Sequence, residues 1–333
     1  MVAQIDKEYL YNCKTRIYQR LLSYALFEGR PLTTKGRWIN PIIFIIFSLF
    51  KRLPIKKAVK KPIFIVGTGR SGTTILGLIL SVHRSVGFLN EPKAIWHSAY
   101  GQEDLIGSYS HDTANYRLRS SDATRSVKKS MHRLFGWYLI LTRSSRVVDK
   151  YPELIFRVPF VKKIFPDAKF LFLVRNGWDT CHSIRHWSER LGEQKHGEIH
   201  DWWGVNNRKW KLLVEQLISE HPRLAAHAKE ISGFTRHTDM AAVEWIITMR
   251  EGLRLQAEYP EDVHTVIYED LCLETSRTLT ALREFCELTI DKKFDEYAKK
   301  TLHPIKSKLP FELHPAIQAE FNAVMHELGY SNG

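Results

Sequence analysis

GTGRSGTT, residues 67–74, lies between the apolar runs IFIV (63–66) and ILGLILSV (75–82). Glycines let a loop turn tightly and aim successive backbone N–H groups at one point, and a helix that follows adds a field favourable to an anion. Gly67 and Gly72 have the spacing of a nucleotide-triphosphatase loop, G-x-x-x-x-G-K-[ST], but Thr73 stands where that pattern has lysine. Arg70 supplies positive charge from within the loop, and Ser71, Thr73 and Thr74 add hydroxyl donors. The chemistry implied is phosphate binding without a lysine bridging β- and γ-phosphates. A purely structural turn is the alternative.

A second candidate is VRNGWDTCHS, 174–183. Arg175 follows the apolar run KFLFLV (169–174), and Ser183 lies eight residues further on. Ligands of open parallel sheets bind beyond the carboxyl ends of the strands. An arginine there can hold a phosphate through two parallel bonds. Two anion sites on one sheet edge suit a ligand with two separated phosphates. Taken alone, Arg175 and Ser183 read equally well as a surface arginine and a helix hydroxyl.

The elements that must position these residues alternate along the chain. IFIV, RVVDK (146–150), KFLFLV and VHTVIY (263–268) read as short strands, the buried kind found in parallel sheets. Helices are predicted from Thr73 to about His83, from Pro152 to about Ile164, after the Asn176–Gly177 break with Asp179 capping a helix that carries Cys181, Ser183 and Ile184, over 241–259, and over 273–288 with a Ser/Thr cap. Residues 101–130 read as a long polar loop, a form often used as a lid or acceptor-binding element. The predicted fold is α/β, with a P-loop-like central parallel sheet flanked by helices. A helical leader, 1–61, precedes this domain, 62–333.

Bulk composition narrows the function classes. Of 333 residues 44% are hydrophobic, enough for a full core, which excludes a disordered chain. The net charge of +13 favours anionic partners. Cys13, Cys181, Cys272 and Cys286 lie far apart with no C-x-x-C pair, so no disulfide framework or zinc site is indicated. No secretory signal pattern opens the chain, and a cytoplasmic location is expected. PIIFIIFSLF, 41–50, is too short to span a bilayer, which needs about 20 residues. KRLPIKKAVKK, 51–61, follows it with six basic residues. Together, 41–61 can lie on an anionic membrane; the alternative is a helix docked on the core and a solvated linker.

Four ordered blocks, spanning about residues 62–290, resemble sulfotransferases that use 3′-phosphoadenosine 5′-phosphosulfate. GTGRSGTT resembles the 5′-phosphosulfate loop of the membrane-enzyme and bacterial branches, where arginine commonly replaces lysine. VRNGWDTCHS resembles the 3′-phosphate motif, with Gly177 in place of the usual proline. VDKYPELIFRVPFVKKIFPDAKFLFLVR resembles the stretch leading into that motif, with Tyr151 where threonine or aspartate is common. VIYEDL with the helix ending FCEL resembles the late strand and helix.

The resemblance implies roles. Arg70, Ser71, Gly72, Thr73 and Thr74 would hold the 5′-phosphosulfate. Arg175 and Ser183 would hold the 3′-phosphate, and Tyr268 would sit near the nucleotide. Lys150 would approach the leaving oxygen, and Lys306 and Lys308, in HPIKSKLP, would belong to a loop closing over the donor. Glu91, in FLNEPKAIWH, would be the base, with its pKa raised towards neutrality; His97 and His83 are alternatives, and Glu91 also reads as a carboxylate at a helix start. No D-x-D pair or His cluster points to a metal, and none is expected. Trp187, Trp202, Trp203 and Trp210 can stack on sugar rings or fill the core. The expected acceptor is a hydroxyl-bearing small molecule, sugar or lipid, most of all a carbohydrate or glycolipid, and not nucleic acid. Two rivals remain. A P-loop kinase would want magnesium and a loop lysine, and a non-catalytic basic protein binding membrane or nucleic acid would leave both phosphate motifs unexplained.

Overall fold

The computed structural model describes residues 2–31, 34–195, 197–304, 307–308 and 310–330. Its strands, in chain order, are β1 (Ile63–Gly67), β2 (Val86–Asn90), β3 (Arg146–Lys150), β4 (Lys169–Val174), β5 (Glu193–Lys195), β6 (Glu198–Asp201), β7 (Gly204–Val205) and β8 (Val263–Ile267). Five form one sheet in the order β2-β3-β1-β4-β8, with every neighbouring pair parallel. The other three form a small antiparallel sheet, β5-β6-β7.

The period-2 geometry of strands explains how the large sheet is covered on both faces. Phe64, Val66, Leu89, Phe170, Phe172 and Val174 point into one core, with the helices Arg125–Leu141, Gly177–Leu191, His237–Glu258 and Pro315–Glu327. Ile63, Ile65, Val86, Phe88, Leu171 and Leu173 point into a second core, with Thr73–Val82, Thr275–Cys286 and Lys292–Thr301. Residues of β1 are buried throughout, which is why it reads as an unbroken apolar run.

The leader packs on the domain and contributes to both cores. Phe27, Ile43 and Phe47 belong to the first, Tyr9 and Cys13 to the second. It also covers the outer edge of β2, whose free backbone groups would otherwise invite pairing with another chain. Arg16 donates to the Val86 carbonyl, Arg20 Nη1 donates to the Phe88 carbonyl at 3.1 Å, and the Asn90 N–H donates to Glu28 Oε1 at 2.8 Å. Arg20 and Glu28 are themselves a buried ion pair.

Several sequence expectations shift in detail. The segment from Pro152 is a 3-10 turn, Pro152–Arg157, followed by the helix Val158–Ile164. Asn176, not Asp179, caps the helix Gly177–Leu191, its side chain accepting from the N–H groups of Trp178 and Asp179. An asparagine just before the first helical residue reaches those free amides, whereas Asp179 is already inside the first turn. The helix expected over 273–288 runs Thr275–Cys286 without a Ser/Thr cap; the Thr275 hydroxyl donates back to the Leu271 carbonyl instead. The last strand ends at Ile267, and Tyr268 opens a short helix, Tyr268–Leu273.

Parallel register fixes which residues share an edge. Asn90 and Lys150 are paired, Gly67 pairs with Leu173, and Val174 pairs with Ile267. The carboxyl ends of all five strands therefore lie together. The loop after Gly67, then Glu91, Lys150, Arg175 and Tyr268, all emerge or end there.

Candidate active site

The loop after β1 is shaped by Gly72, at φ 92° and directly before the helix Thr73–Val82. Only glycine adopts that backbone freely. Space demands it as well, since a Cβ there would lie 2.3 Å from the Tyr268 ring. Arg70 takes a positive φ of 69° without being glycine, a strained state that persists where function or surroundings demand it. No side chain caps the helix Thr73–Val82, so its first amides face the loop cavity. Ser71 Oγ and Thr68 Oγ1 are buried and have no partner among the described residues. Unsatisfied donors around a helix N-terminus are what an incoming phosphate would satisfy.

Arg70 ties this loop to the second candidate motif. Its Nε donates to Ser183 Oγ at 3.1 Å, and Arg175 Nη1 donates to the Arg70 carbonyl at 3.1 Å. The Arg175 guanidinium lies over the Tyr268 ring, 4.9 Å from its centroid. Trp245 Nε1 donates to the Arg175 carbonyl at 3.1 Å and fixes the backbone. Arg175 Nε is buried and has no partner among the described residues. Burial, then Arg175 and Arg190, lower the pKa of Arg70, so cations crowd here beyond what the local acids balance. Asp179 lies 4.0 Å from Arg175 Nη2 and accepts the Lys308 N–H at 2.7 Å, which brings Lys308 to this motif through its backbone. Lys306 lies outside the described residues.

Glu91 and Lys150 form the other side of the cavity that Arg70, Thr73 and Thr74 also line. Glu91 has φ 51°, and its N–H donates to the Lys150 carbonyl at 2.7 Å. Lys150 Nζ donates to Glu91 Oε1 at 2.5 Å. From Glu91 a chain of alternating charges runs inward. Lys93 Nζ is 3.5 Å from Glu91 and 3.6 Å from Glu153. Lys209 Nζ is 3.2 Å from Glu153 and 2.5 Å from Glu244, and Glu244 accepts from Trp202 Nε1 at 2.8 Å. Lys93, Lys150, Glu153, Lys209 and Glu244 are all buried, while the Glu91 side chain is 35% exposed to the cavity.

This chain overturns the expected direction of the Glu91 pKa. Burial pushes the carboxyl up, but the Lys150 and Lys93 ammonium groups outweigh it and hold Glu91 below the usual carboxylate range. Glu153 is held down more strongly by Lys93 and Lys209 against the same effect of burial. Burial would lower the pKa of Lys93 and Lys209, yet their carboxylate partners hold both above the usual range.

The histidine alternatives lie elsewhere. His83 Nε2 contacts the Thr289 carbonyl at 2.8 Å, and His97 packs against Phe44 and Tyr109; burial lowers both pKa values, and neither lines the Glu91 cavity. The tryptophans divide. Trp203 and Trp210 are buried against one another, whereas Trp187 and Trp202 line the cavity with centroids 5.4 Å apart. The Trp202 ring closes on Gly69, where a Cβ would lie 2.4 Å away. Lys93, Glu153, Lys209 and Glu244 are site residues that sequence reasoning missed. Only Lys93, two positions after Glu91, carried a local signal.

Fold and site define an α/β protein with two linked candidate anion subsites and a carboxylate at the carboxyl edge of a parallel sheet. Residues 62–227 match the model of the sulfotransferase family. Over 142 residues, 42% of this chain and 26% of the relative, the sequence is 30% identical to a protein-tyrosine sulfotransferase of Drosophila melanogaster. Over 259 residues, 74% of this chain and 28% of the relative, it is 23% identical to an uncharacterized protein of Aquifex aeolicus (strain VF5). The matched segments thus span only about a quarter of these curated relatives' length. The sulfotransferase domain of the curacin biosynthetic pathway shares the fold with a TM-score of 0.50 at 16% identity, over 82% of this chain and 99% of that domain. The chain belongs to the sulfotransferase family.

Proposed function

We propose that the protein transfers a sulfuryl group from 3′-phosphoadenosine 5′-phosphosulfate to a hydroxyl group. One observation carries the reading: Arg70 links the glycine loop to Ser183 and Arg175 while lining the same cavity as Glu91 and Lys150. The loop amides with Arg70, Ser71, Gly72, Thr73 and Thr74 would hold the 5′-phosphosulfate. Arg175 and Ser183 would hold the 3′-phosphate, with Tyr268 beside the nucleotide and Lys308 in the segment near it. The bound donor supplies an activated sulfuryl group and a phosphate leaving oxygen.

The protein's own groups do the rest. Glu91 is ionised, the form needed to take the acceptor's proton on a carboxylate oxygen, but its pairing with Lys150 keeps it a weak base. Lys150 Nζ is the cation that would serve the leaving oxygen. Drawn towards that oxygen, Lys150 would withdraw the larger of the two cationic pulls on Glu91, and the carboxylate would become more basic although Lys93 still faces it. Charge stabilisation and base strength thus rise together.

The acceptor is a hydroxyl compound, and the paired rings of Trp187 and Trp202 favour one that carries a ring. A sugar or glycolipid fits that wall. A phenol is the second reading, because matched relatives are named protein-tyrosine sulfotransferases. Thermal shift tests the donor. Adenosine 3′,5′-bisphosphate should stabilise the protein without magnesium, and ATP with magnesium much less; equal or reversed responses refute the reading. Transfer of labelled donor to a panel of sugars, lipids and tyrosyl peptides then identifies the acceptor class.

A further inference from the structure

The helix Asn40–Arg52 has two apolar faces, and the fold uses one. Ile43 and Phe47 are buried, Phe44 packs on His97 and Tyr109, and Phe50 stacks on Trp137. On the other side Ile42, Ile45 and Leu49 are 50%, 70% and 52% exposed. At 3.6 residues per turn these three fall within about 60° of arc. Trp38, just before the helix, is 78% exposed, and Leu53, just after it, 37%. The row from Trp38 to Leu53 is roughly 20 Å long at a helical rise. Single exposed apolar side chains are ordinary, but a contiguous row marks an interaction surface.

Along the chain, the charge flanking this row has one sign. No Asp or Glu occurs between Glu28 and Glu91. Lys35 and Arg37 are exposed before the helix, Arg37 also donating from Nη2 to the Ser108 carbonyl at 3.1 Å, and Arg52, Lys56, Lys57 and Lys60 are exposed at its end and beyond. Other cations nearby are already engaged. Lys51 Nζ donates to the Ser98 carbonyl at 2.6 Å, and Lys61 pairs with Glu287.

We infer that this face docks the protein on an anionic lipid surface. Ile42, Ile45 and Leu49 enter the boundary between headgroups and acyl chains, Trp38 lies at the headgroup level, and the lysines meet the lipid charges. A second copy of the chain would bring basic flanks together, and a nucleic acid would leave the apolar row uncovered. Lipid complements both features. Among the described residues no helix is long and apolar enough to cross a membrane, so this contact is peripheral. The inference is independent of the proposed reaction.

Flotation of the full chain with vesicles tests it, using phosphatidylcholine alone and phosphatidylcholine with about a third phosphatidylglycerol. Binding should be at least about tenfold stronger to the anionic vesicles and should fall as salt rises. Ile42→Ser/Ile45→Ser/Leu49→Ser, all at exposed positions, should keep the wild-type melting temperature and lose most of the binding. Lys56→Gln/Lys57→Gln/Lys60→Gln should weaken it by on the order of 100-fold, about fivefold per lysine. Absence of binding to anionic vesicles at low salt overturns the inference, as does undiminished binding by the serine variant. So does a solution dimer, seen by sedimentation, that the serine variant dissociates, because a second copy would then cover the face.

Discussion

Arg175→Ala should erase the preference of the donor site for a 3′-phosphate. Arg175 spends Nη1 on the Arg70 carbonyl, while its Nε is buried and unpartnered among the described residues and Nη2 lies 4.0 Å from Asp179. Two donors are thus available to a phosphate. Hydrogen bonds to charged groups contribute about 1.5–3 kcal/mol each, and the nearby Asp179 carboxylate offsets part of that gain. A net loss of about 3 kcal/mol corresponds to roughly 150-fold in Kd. Calorimetric titration of wild type and variant with adenosine 3′,5′-bisphosphate and with 5′-AMP isolates the effect. The bisphosphate should lose roughly 150-fold, and 5′-AMP, which tests the integrity of the glycine loop, no more than about threefold. Arg175→Lys should recover only part of the loss, because it keeps the charge but not the planar fork. The reasoning fails if both ligands weaken equally, or if the variant still prefers the bisphosphate.

Glu91→Gln should lower transfer by about 10²–10⁴-fold, the usual contribution of a positioned base, while calorimetry shows bisphosphate affinity nearly unchanged; an active Gln variant removes Glu91 from that role. Lys93→Met removes one of two cations holding the Glu91 pKa down against burial, so the acid limb of the kcat/KM profile should move to higher pH. At 3.5 Å the pair is worth about 1 kcal/mol in water and about 5 kcal/mol at an effective dielectric of 20. The solvent exposure of Glu91 favours the lower figure, about one pH unit, and an unmoved limb counts against the assignment. The stability that Glu91 contributes through its depressed pKa is present above its unfolded value and lost as pH falls through the folded one, so Lys93→Met should also flatten the acid side of a Tm–pH curve. Gly72→Ala forces a Cβ onto the Tyr268 ring at φ 92°, and should cost about 1–3 kcal/mol and a few degrees of Tm by scanning fluorimetry; an unchanged Tm would show that the Tyr268 contact does not constrain the loop.

Four of the five strands in the large sheet were legible because each is a short, buried, β-branched or aromatic run between turn residues. β2, Val86–Asn90, was not. It contains Gly87 and follows the apolar helix Thr73–Val82 after only His83, Arg84 and Ser85, so the apolar signal of the two elements merges. The small sheet was silent for the opposite reason. Its strands, Glu193–Lys195, Glu198–Asp201 and Gly204–Val205, are mostly polar and two to four residues long, too short to show alternation. Yet that sheet leads into Trp202, which closes over Gly69 and anchors on Glu244.

The same division between local and distant information explains the error over Glu91. Parallel strands place their carboxyl ends together whatever the intervening sequence, so the glycine loop, Lys150 and Arg175 could be assigned to one edge from their positions, whereas Glu91, which follows the unrecognised β2, could not. Burial of a carboxylate at such an edge argues for a raised pKa, and that half of the reasoning is physically sound. The other half depends on Lys150, in contact from the neighbouring strand end, and on Lys93, which packing sets between Glu91 and Glu153. At Glu91 the Lys150 and Lys93 ammonium groups outweigh desolvation, and no periodicity or motif reports those contacts. The direction of the Glu91 pKa at this edge is therefore decided by the cations packed against it. For Glu91 those cations, Lys150 first and Lys93 second, keep it ionised and weakly basic.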